Sequence, residues 1–258
     1  MMELEQIASF YPEHAGFPKR FMLREYLQSK ILEIIFSGKL GNQLVFIGGT
    51  CLRLLYGNQR FSEDIDLDHF GLDSSDFDTL ATSLEKELSL LGYVVEMRQI
   101  SKQAWHCYLK FPKLLYQTGL SGHKEEKILI QVDAEAQGYD FEPELKLFRA
   151  FDVFTQISVP PLSLLLSHKI AAILQRPRNK GRDFFDVTYL QPKTKPDYEF
   201  LKLKLDIPNS KTLRERLLDH CAKLDFKEMA RDVEPFLFQS RDVNRVLLFP
   251  ELIEEAEW

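Results

Sequence analysis

Disulfide and zinc-knuckle chemistry are both missing from this chain. Its cysteines are Cys51, Cys107 and Cys221, an odd number, far apart and never in a CxxC pair. That spacing supports neither a disulfide framework nor a metal knuckle, and reduced thiols in a cytoplasm are the expectation. Long apolar runs are also lacking. The most apolar one, residues 162–166, is far below the ~20 residues needed to cross a bilayer. The opening Met1-Met-Glu-Leu-Glu-Gln is acidic and carries no apolar signal core. A soluble cytoplasmic protein with no membrane partner is therefore expected. Positive charge is in deficit: 33 Lys and Arg against 39 Asp and Glu leave a formal net charge of -6. Any nucleic-acid partner must meet a local basic patch rather than a polycation. Internal repeats and low-complexity segments are absent. What remains is ordinary globular composition, 45% hydrophobic and 28% charged over 258 residues, enough for one large domain or two smaller ones.

Periodicity supplies the elements. Leu23, Leu27, Ile31, Ile34 and Ile35 recur at helical spacing, so residues 21–37 read as an amphipathic helix ended by Gly38 and Gly41. Residues 44–47 are a brief β-type run. Gly48, Gly49 and Thr50 then open a helix over 51–56 that stops at Gly57. Residues 64–68 form an acidic strand. Ser74 or Ser75 caps a helix running to Leu91. Strands are expected over 93–98, 104–110 and 127–133, with residues 113–127 as a hairpin connection or mobile loop. After Val159-Pro160-Pro161 the pattern turns helical: 162–174, 183–190, then several short helices over 198–258. The fold class is α+β, with a core over residues 1–160 and a helical lobe over 161–258.

Three constellations carry candidate chemistry. The first couples the glycine pair to Asp64 and Asp66. On a strand these aspartates share one face while Ile65 and Leu67 enter a core. Paired carboxylates repel unless a cation lies between them, and Mg²⁺ typically binds one or two carboxylates plus substrate phosphates. Gly48 and Gly49 admit a phosphate close to the backbone, where helix-start amides attract an anion. Thr50 adds a hydroxyl contact or caps the helix. The bland alternative is a tight turn beside solvated aspartates. The second is Asp133, at the end of the apolar run from Lys127; a third carboxylate completes a metal site or helps activate an attacking hydroxyl. Glu135 is the substitute on the same face. The third is the stretch from Ser167 to Asp186. Lys169 and Arg176 fall on one helix face, with Lys169 suited to a triphosphate. Arg176, Arg178, Lys180 and Arg182 form the local basic patch for phosphate or RNA-backbone contact. Arg182 and Asp186 are spaced to pair, and Asp183 precedes Phe184 and Phe185, which can pin it inward. The alternative is a solvated basic loop and an ion-paired helix. His168, His106 and Asp68 are set aside as a surface or satisfied histidine, a strand-face residue and a solvated strand-exit carboxylate.

The motifs resemble a known group. Gly48-Gly49-Thr50, then Arg60-x-Ser62-x-Asp64-x-Asp66-Leu67, is similar to motif one of the AbiEii/AbiGii-type toxins of the DNA polymerase β-like nucleotidyltransferase superfamily. Asp133 looks like motif two. Lys169-x-x-Ala172, and Arg178 to Arg182-Asp183-x-x-Asp186, look like motifs three and four. The resemblance spans roughly residues 20–190. Two departures stand out: Leu165 lies where the group has a serine, and Gln131 lies where a basic residue is usual. The resemblance implies a polymerase β-like core with a mixed sheet, followed by a helical lobe. It implies a nucleoside triphosphate substrate with Mg²⁺ or Mn²⁺ held by Asp64, Asp66 and Asp133. Lys169 and Asp183 join the three aspartates as catalytic residues, while Gly48, Gly49, Thr50, Arg60, Ser62 and Lys169 bind the nucleotide. The implied setting is a bacterial toxin–antitoxin or phage-defence pair with a separately encoded antitoxin. The expected acceptor is the tRNA 3′ end, with a protein, a small molecule, or nucleotide binding without turnover as the other readings.

Overall fold

Alternation of buried with half-buried or exposed side chains over residues 105–112 and 127–134 fixes the two faces of the sheet in the first part of the chain. The computed structural model describes residues 2–12, 16–101 and 104–258. Two compact units emerge: Met1–Cys51 with Phe61–Val159, and Leu52–Arg60 with Pro160–Trp258. The segment 52–60, which the sequence reading places before the boundary at 160, thus groups with the later residues.

The first unit runs α1 (Leu4–Ala8), α2 (Lys19–Ser37), β1 (Leu44–Ile47), α3 (Gly48–Tyr56, shared with the second unit), β2 (Ile65–His69), α4 (Ser74–Leu90), β3 (Glu96–Ser101), β4 (Trp105–Pro112), α5 (Leu114–Gln117), β5 (Lys127–Ala134), β6 (Glu144–Ala150) and β7 (Val153–Val159). Five strands form a mixed sheet in the order β1-β2-β5-β4-β3, and β6 pairs with β7 in a separate hairpin. Only the β2–β5 pair is parallel in the five-stranded sheet. On β5, Ile128, Ile130, Val132 and Ala134 are buried, and on β4 so are Trp105, Cys107, Leu109 and Phe111. Phe77 of α4 stacks on Trp105 with ring centroids 5.0 Å apart, so α4 packs on that face. Gln131 and Asp133 of β5 and His106 of β4 alternate onto the other face.

Several sequence expectations shift. The cap of α4 is Asp73, not Ser74 or Ser75. Its carboxylate accepts from the Ser75 and Asp76 amides at 2.7 and 3.1 Å, and Asp76 returns a bond to the Asp73 amide. The strand expected over 93–98 starts only at Glu96. Tyr93 instead donates its amide to the Leu88 carbonyl, closing the end of α4, and is buried against Phe111. The β6–β7 hairpin has no counterpart in the sequence reading. Its apolar residues Leu145, Leu147 and Phe154 point outward and stay exposed, so its polarity pattern runs against a core strand's.

The second unit holds α6 (Leu162–Gln175), α7 (Gly181–Leu190), α8 (Tyr198–Leu205), α9 (Ser210–Cys221), α10 (Phe226–Val233), α11 (Asn244–Leu247) and α12 (Phe249–Glu255). Asp197, Asn209 and Asp225 cap α8, α9 and α10 through side-chain acceptors. Phe184, Phe226 and Phe249 meet at centroid distances of 5.0 to 6.3 Å in its core. A Cβ on Gly181 would lie 1.8 Å from the Met229 carbonyl oxygen, so only glycine lets α7 begin against α10.

Candidate active site

In the first unit, β1 passes into α3 at Gly48, whose φ is 79°. A Cβ there would lie 2.1 Å from Asp66 Oδ2, so the missing side chain is what admits the carboxylate. Asp66 therefore lies against the start of α3, where the helix dipole favours negative charge. Gly49 is buried in the first turn. The Thr50 side chain is fully buried and its hydroxyl donates to the Asp64 carbonyl. Thr50 thus ties α3 to the segment entering β2.

Parallel pairing places Asp66 directly beside Asp133. Register neighbours in a sheet share a face, so Asp66 and Asp133 point the same way; Asp64 falls one residue before β2, which starts at Ile65 rather than at the expected residue 64. Asp133 Oδ1 lies 2.7 Å from His106 Nδ1 on β4. Gln131 Nε2 donates to both Asp133 oxygens at 2.9 and 2.8 Å. His106, set aside from sequence, is thus a direct partner of a candidate catalytic aspartate. The signal for it was the cross-strand register, which sequence spacing does not reveal. Asp68 is likewise not a solvated carboxylate: it is 2% exposed and accepts from the His69 and Gln137 amides at 2.8 and 2.9 Å.

The expected three-aspartate metal cage is not closed. Among the described residues, no group of three or more His, Cys, Asp and Glu side chains is arranged to hold a metal ion. The face instead offers hard oxygen donors in ones and twos, and the Asp66 carboxylate occupies the space a Gly48 side chain would fill. Such a donor set fits a divalent cation whose remaining ligands come from substrate phosphates and water.

A different cluster forms in the second unit. Lys169 Nζ on α6 lies 3.1 Å from Asp183 Oδ1 and 2.9 Å from Asp186 Oδ2, both on α7. Arg176 Nη1 reaches Asp183 Oδ2 at 2.9 Å. Arg60 grips Asp186 with Nε and Nη2 at 2.7 and 2.6 Å, and Asn58 Nδ2 adds a bond at 2.7 Å. Burial pulls the Lys169 pKa down, but Asp186 and Asp183 outweigh it and hold the ammonium above its ordinary value. Burial likewise pushes Asp186 up, yet Arg60 and Lys169 keep its carboxyl below the usual range. Arg60 is 2% exposed. Its guanidinium is engaged inside the fold by Asp186. Asp186 is claimed by Arg60 and Lys169 rather than by the expected i,i+4 pairing with Arg182, whose guanidinium lies 4.8 Å from the Phe236 ring centroid. Ser62 is 8% exposed, and its carbonyl accepts from Gln28 Nε2.

The loop cations remain at the surface. The Arg178 side chain is 87% exposed with only a 3.8 Å contact to Glu228, Arg176 is 43% exposed, and Lys180 is exposed at the start of α7. His168 is not a satisfied surface histidine. Its Nε2 is buried without a hydrogen-bond partner among the described residues, and its ring lies 4.8 Å from Phe200. Burial, aided by Lys169, lowers its pKa to about 4.

Comparison with known proteins decides the family. Residues 30–247 match the profile of the family described as nucleotidyl transferase AbiEii toxin, Type IV TA system. The chain belongs to the AbiEii family. It is accordingly a nucleotidyltransferase of a toxin–antitoxin family. Solved structures agree in fold with this AbiEii protein. One is the nucleotidyltransferase toxin MenT4 of Mycobacterium tuberculosis, with TM-score 0.60 and 16% identity, covering 100% of this chain and 91% of that one. A putative nucleotidyltransferase of Helicobacter pylori aligns with TM-score 0.59 and 16% identity over 93% and 96% of the two chains. JHP933 of Helicobacter pylori gives 0.57 and 17% over 92% of each. At these identities the likeness is one of fold. No protein of curated function matches the sequence. Among the described residues of this AbiEii protein, no helix is long and apolar enough to cross a membrane.

Proposed function

We propose that this AbiEii-family enzyme transfers a nucleoside monophosphate from a nucleoside triphosphate to a hydroxyl at the 3′ end of tRNA. The observation that carries the reading is the parallel register Asp66–Asp133, with Gly48 against the Asp66 carboxylate. Asp64, Asp66 and Asp133 would hold Mg²⁺ or Mn²⁺ together with the phosphates. The cation, when bound, neutralises phosphate charge and lowers the pKa of the attacking hydroxyl. The backbone at Gly48 and Gly49 approaches the phosphate chain. The hydroxyl attacks the α-phosphorus, the bond to the leaving diphosphate breaks, and pyrophosphate departs. The hydroxyl proton is drawn off on the Asp133 side of the face.

In the second unit three cations, Arg60, Lys169 and Arg176, face two carboxylates, Asp183 and Asp186. That excess suits Lys169 to phosphate charge, with Asp183 holding its ammonium in place. The exposed loop of Arg176, Arg178 and Lys180, with Arg182 half-buried at the start of α7, supports a nucleic-acid acceptor over a small molecule. The family's description as the toxin of a type IV system supports a cognate antitoxin as partner, acting in the cytoplasm. Incubating the protein with each labelled nucleoside triphosphate, Mg²⁺ and total cellular RNA or protein tests the reading. Label on tRNA with pyrophosphate release is the expected result. Label only on protein would move the acceptor, and nucleotide binding without pyrophosphate release would remove catalysis.

A further inference from the structure

We propose that His106 and Gln131 are positioning residues of the transfer reaction. They lock the Asp133 carboxylate in one orientation and thereby set how tightly the acidic face takes up a divalent cation. The inference rests on the reading that this face holds the cation. Two donors on two strands converge on one side chain. Gln131 lies two residues before Asp133 on β5, on the same face, and its Nε2 reaches Oδ1 at 2.9 Å and Oδ2 at 2.8 Å. His106 lies directly across on β4 and reaches Oδ1 at 2.7 Å.

An ionised carboxylate has roughly four acceptor sites on its two oxygens. These contacts occupy two sites on Oδ1 and one on Oδ2. One site on Oδ2 is left, so Asp133 is oriented to offer a cation a single oxygen without breaking a bond. A carboxylate only accepts, so His106 meets Asp133 with an Nδ1–H donor. Partners of this kind orient ligands and typically change metal affinity by about 10- to 100-fold when removed. A cross-strand pair serving stability alone would change the melting temperature and leave cation affinity untouched.

The test is Mn²⁺ binding to the full chain, without nucleotide, by titration calorimetry and by loss of the free Mn²⁺ electron-spin-resonance signal. Four variants are compared with the wild type: His106→Leu, His106→Gln, Gln131→Leu and Asp66→Ala. His106→Leu and Gln131→Leu are each expected to weaken Mn²⁺ binding about 10-fold or more. His106→Gln retains an N–H donor and is expected to recover most of the affinity. Wild-type affinity in both leucine variants, with Asp66→Ala abolishing binding, would overturn the positioning role while leaving the cation site standing. Undiminished binding in Asp66→Ala would instead remove the cation reading, and this inference with it. Should His106→Leu fail to fold, Gln131→Leu decides the matter alone. It removes the amide donors from both Asp133 oxygens at a half-buried sheet position.

Discussion

The two charged clusters of this molecule are built on opposite principles. On the sheet, Asp66 and Asp133 gather like charges on one face, one beside a helix start and the other beside the His106 imidazole. In the helical unit, Asp183 and Asp186 are buried and matched by Lys169, Arg176, Arg60 and Asn58 at 2.6 to 3.1 Å. A cluster that satisfies itself holds its own fold together. A cluster that repels itself is suited to an outside charge. The contrast sets Asp66, whose loss should cost chemistry, against Asp186, whose loss should cost the fold.

The sharpest way to break that contrast is to remove one member of each. Asp66→Ala is expected to reduce pyrophosphate release by on the order of a hundredfold or more. Stability in urea should stay within about 1 kcal/mol, because a repelling charge has gone. Asp186→Ala should do the reverse at the level of the fold. It strands Arg60 and Lys169, and urea unfolding is expected to show a loss of about 3–5 kcal/mol. Equal destabilisation by both substitutions would erase the distinction.

Titration sharpens it further. Asp186 is held below its ordinary pKa, so its contribution is complete above the unfolded value of about 3.9 and is lost as pH falls through the lower folded value. Lys169 is held above its ordinary pKa, so its contribution is complete below about 10.4 and is lost as pH rises through the higher folded value. The cluster itself should thus be indifferent to pH between those limits. His168 is not: with a folded pKa of about 4 against an ordinary 6.5, the unfolded chain binds the proton more readily between the two. Stability is expected to fall by up to about 3 kcal/mol as pH drops from 6.5 to 4. His168→Phe, which preserves a ring against Phe200, should flatten that slope in melting curves. The smallest effect belongs to the exposed loop. Arg178→Ala should leave stability within about 0.5 kcal/mol and reduce the salt dependence of RNA binding by about one counterion.

How far the sequence reached differs between these regions. The glycine pair, the DxD strand and Asp133 were legible because strand alternation and a glycine at a strand–helix joint are local rules. Lys169 and Asp183 were legible as neighbours on adjoining helices. His106 was not, since its role depends on which strand lies beside β5. Nor was the partnership of Arg60 with Asp186, 126 positions away; from spacing alone Arg182 is the natural partner. The β6–β7 hairpin escaped because its outward residues are leucine and phenylalanine, which a polarity rule assigns to a core.

The order of residues by itself determined the elements around the acidic face and which side of its strand Asp66 occupies, because both follow from backbone periodicity and short-range sterics. Tertiary structure alone decided the partners. Asp133 beside Asp66, His106 across from Asp133 and Arg60 clasping Asp186 all depend on strand order and helix packing. Contacts between distant segments are selected by burial and charge matching across the whole unit, and no local spacing carries that information.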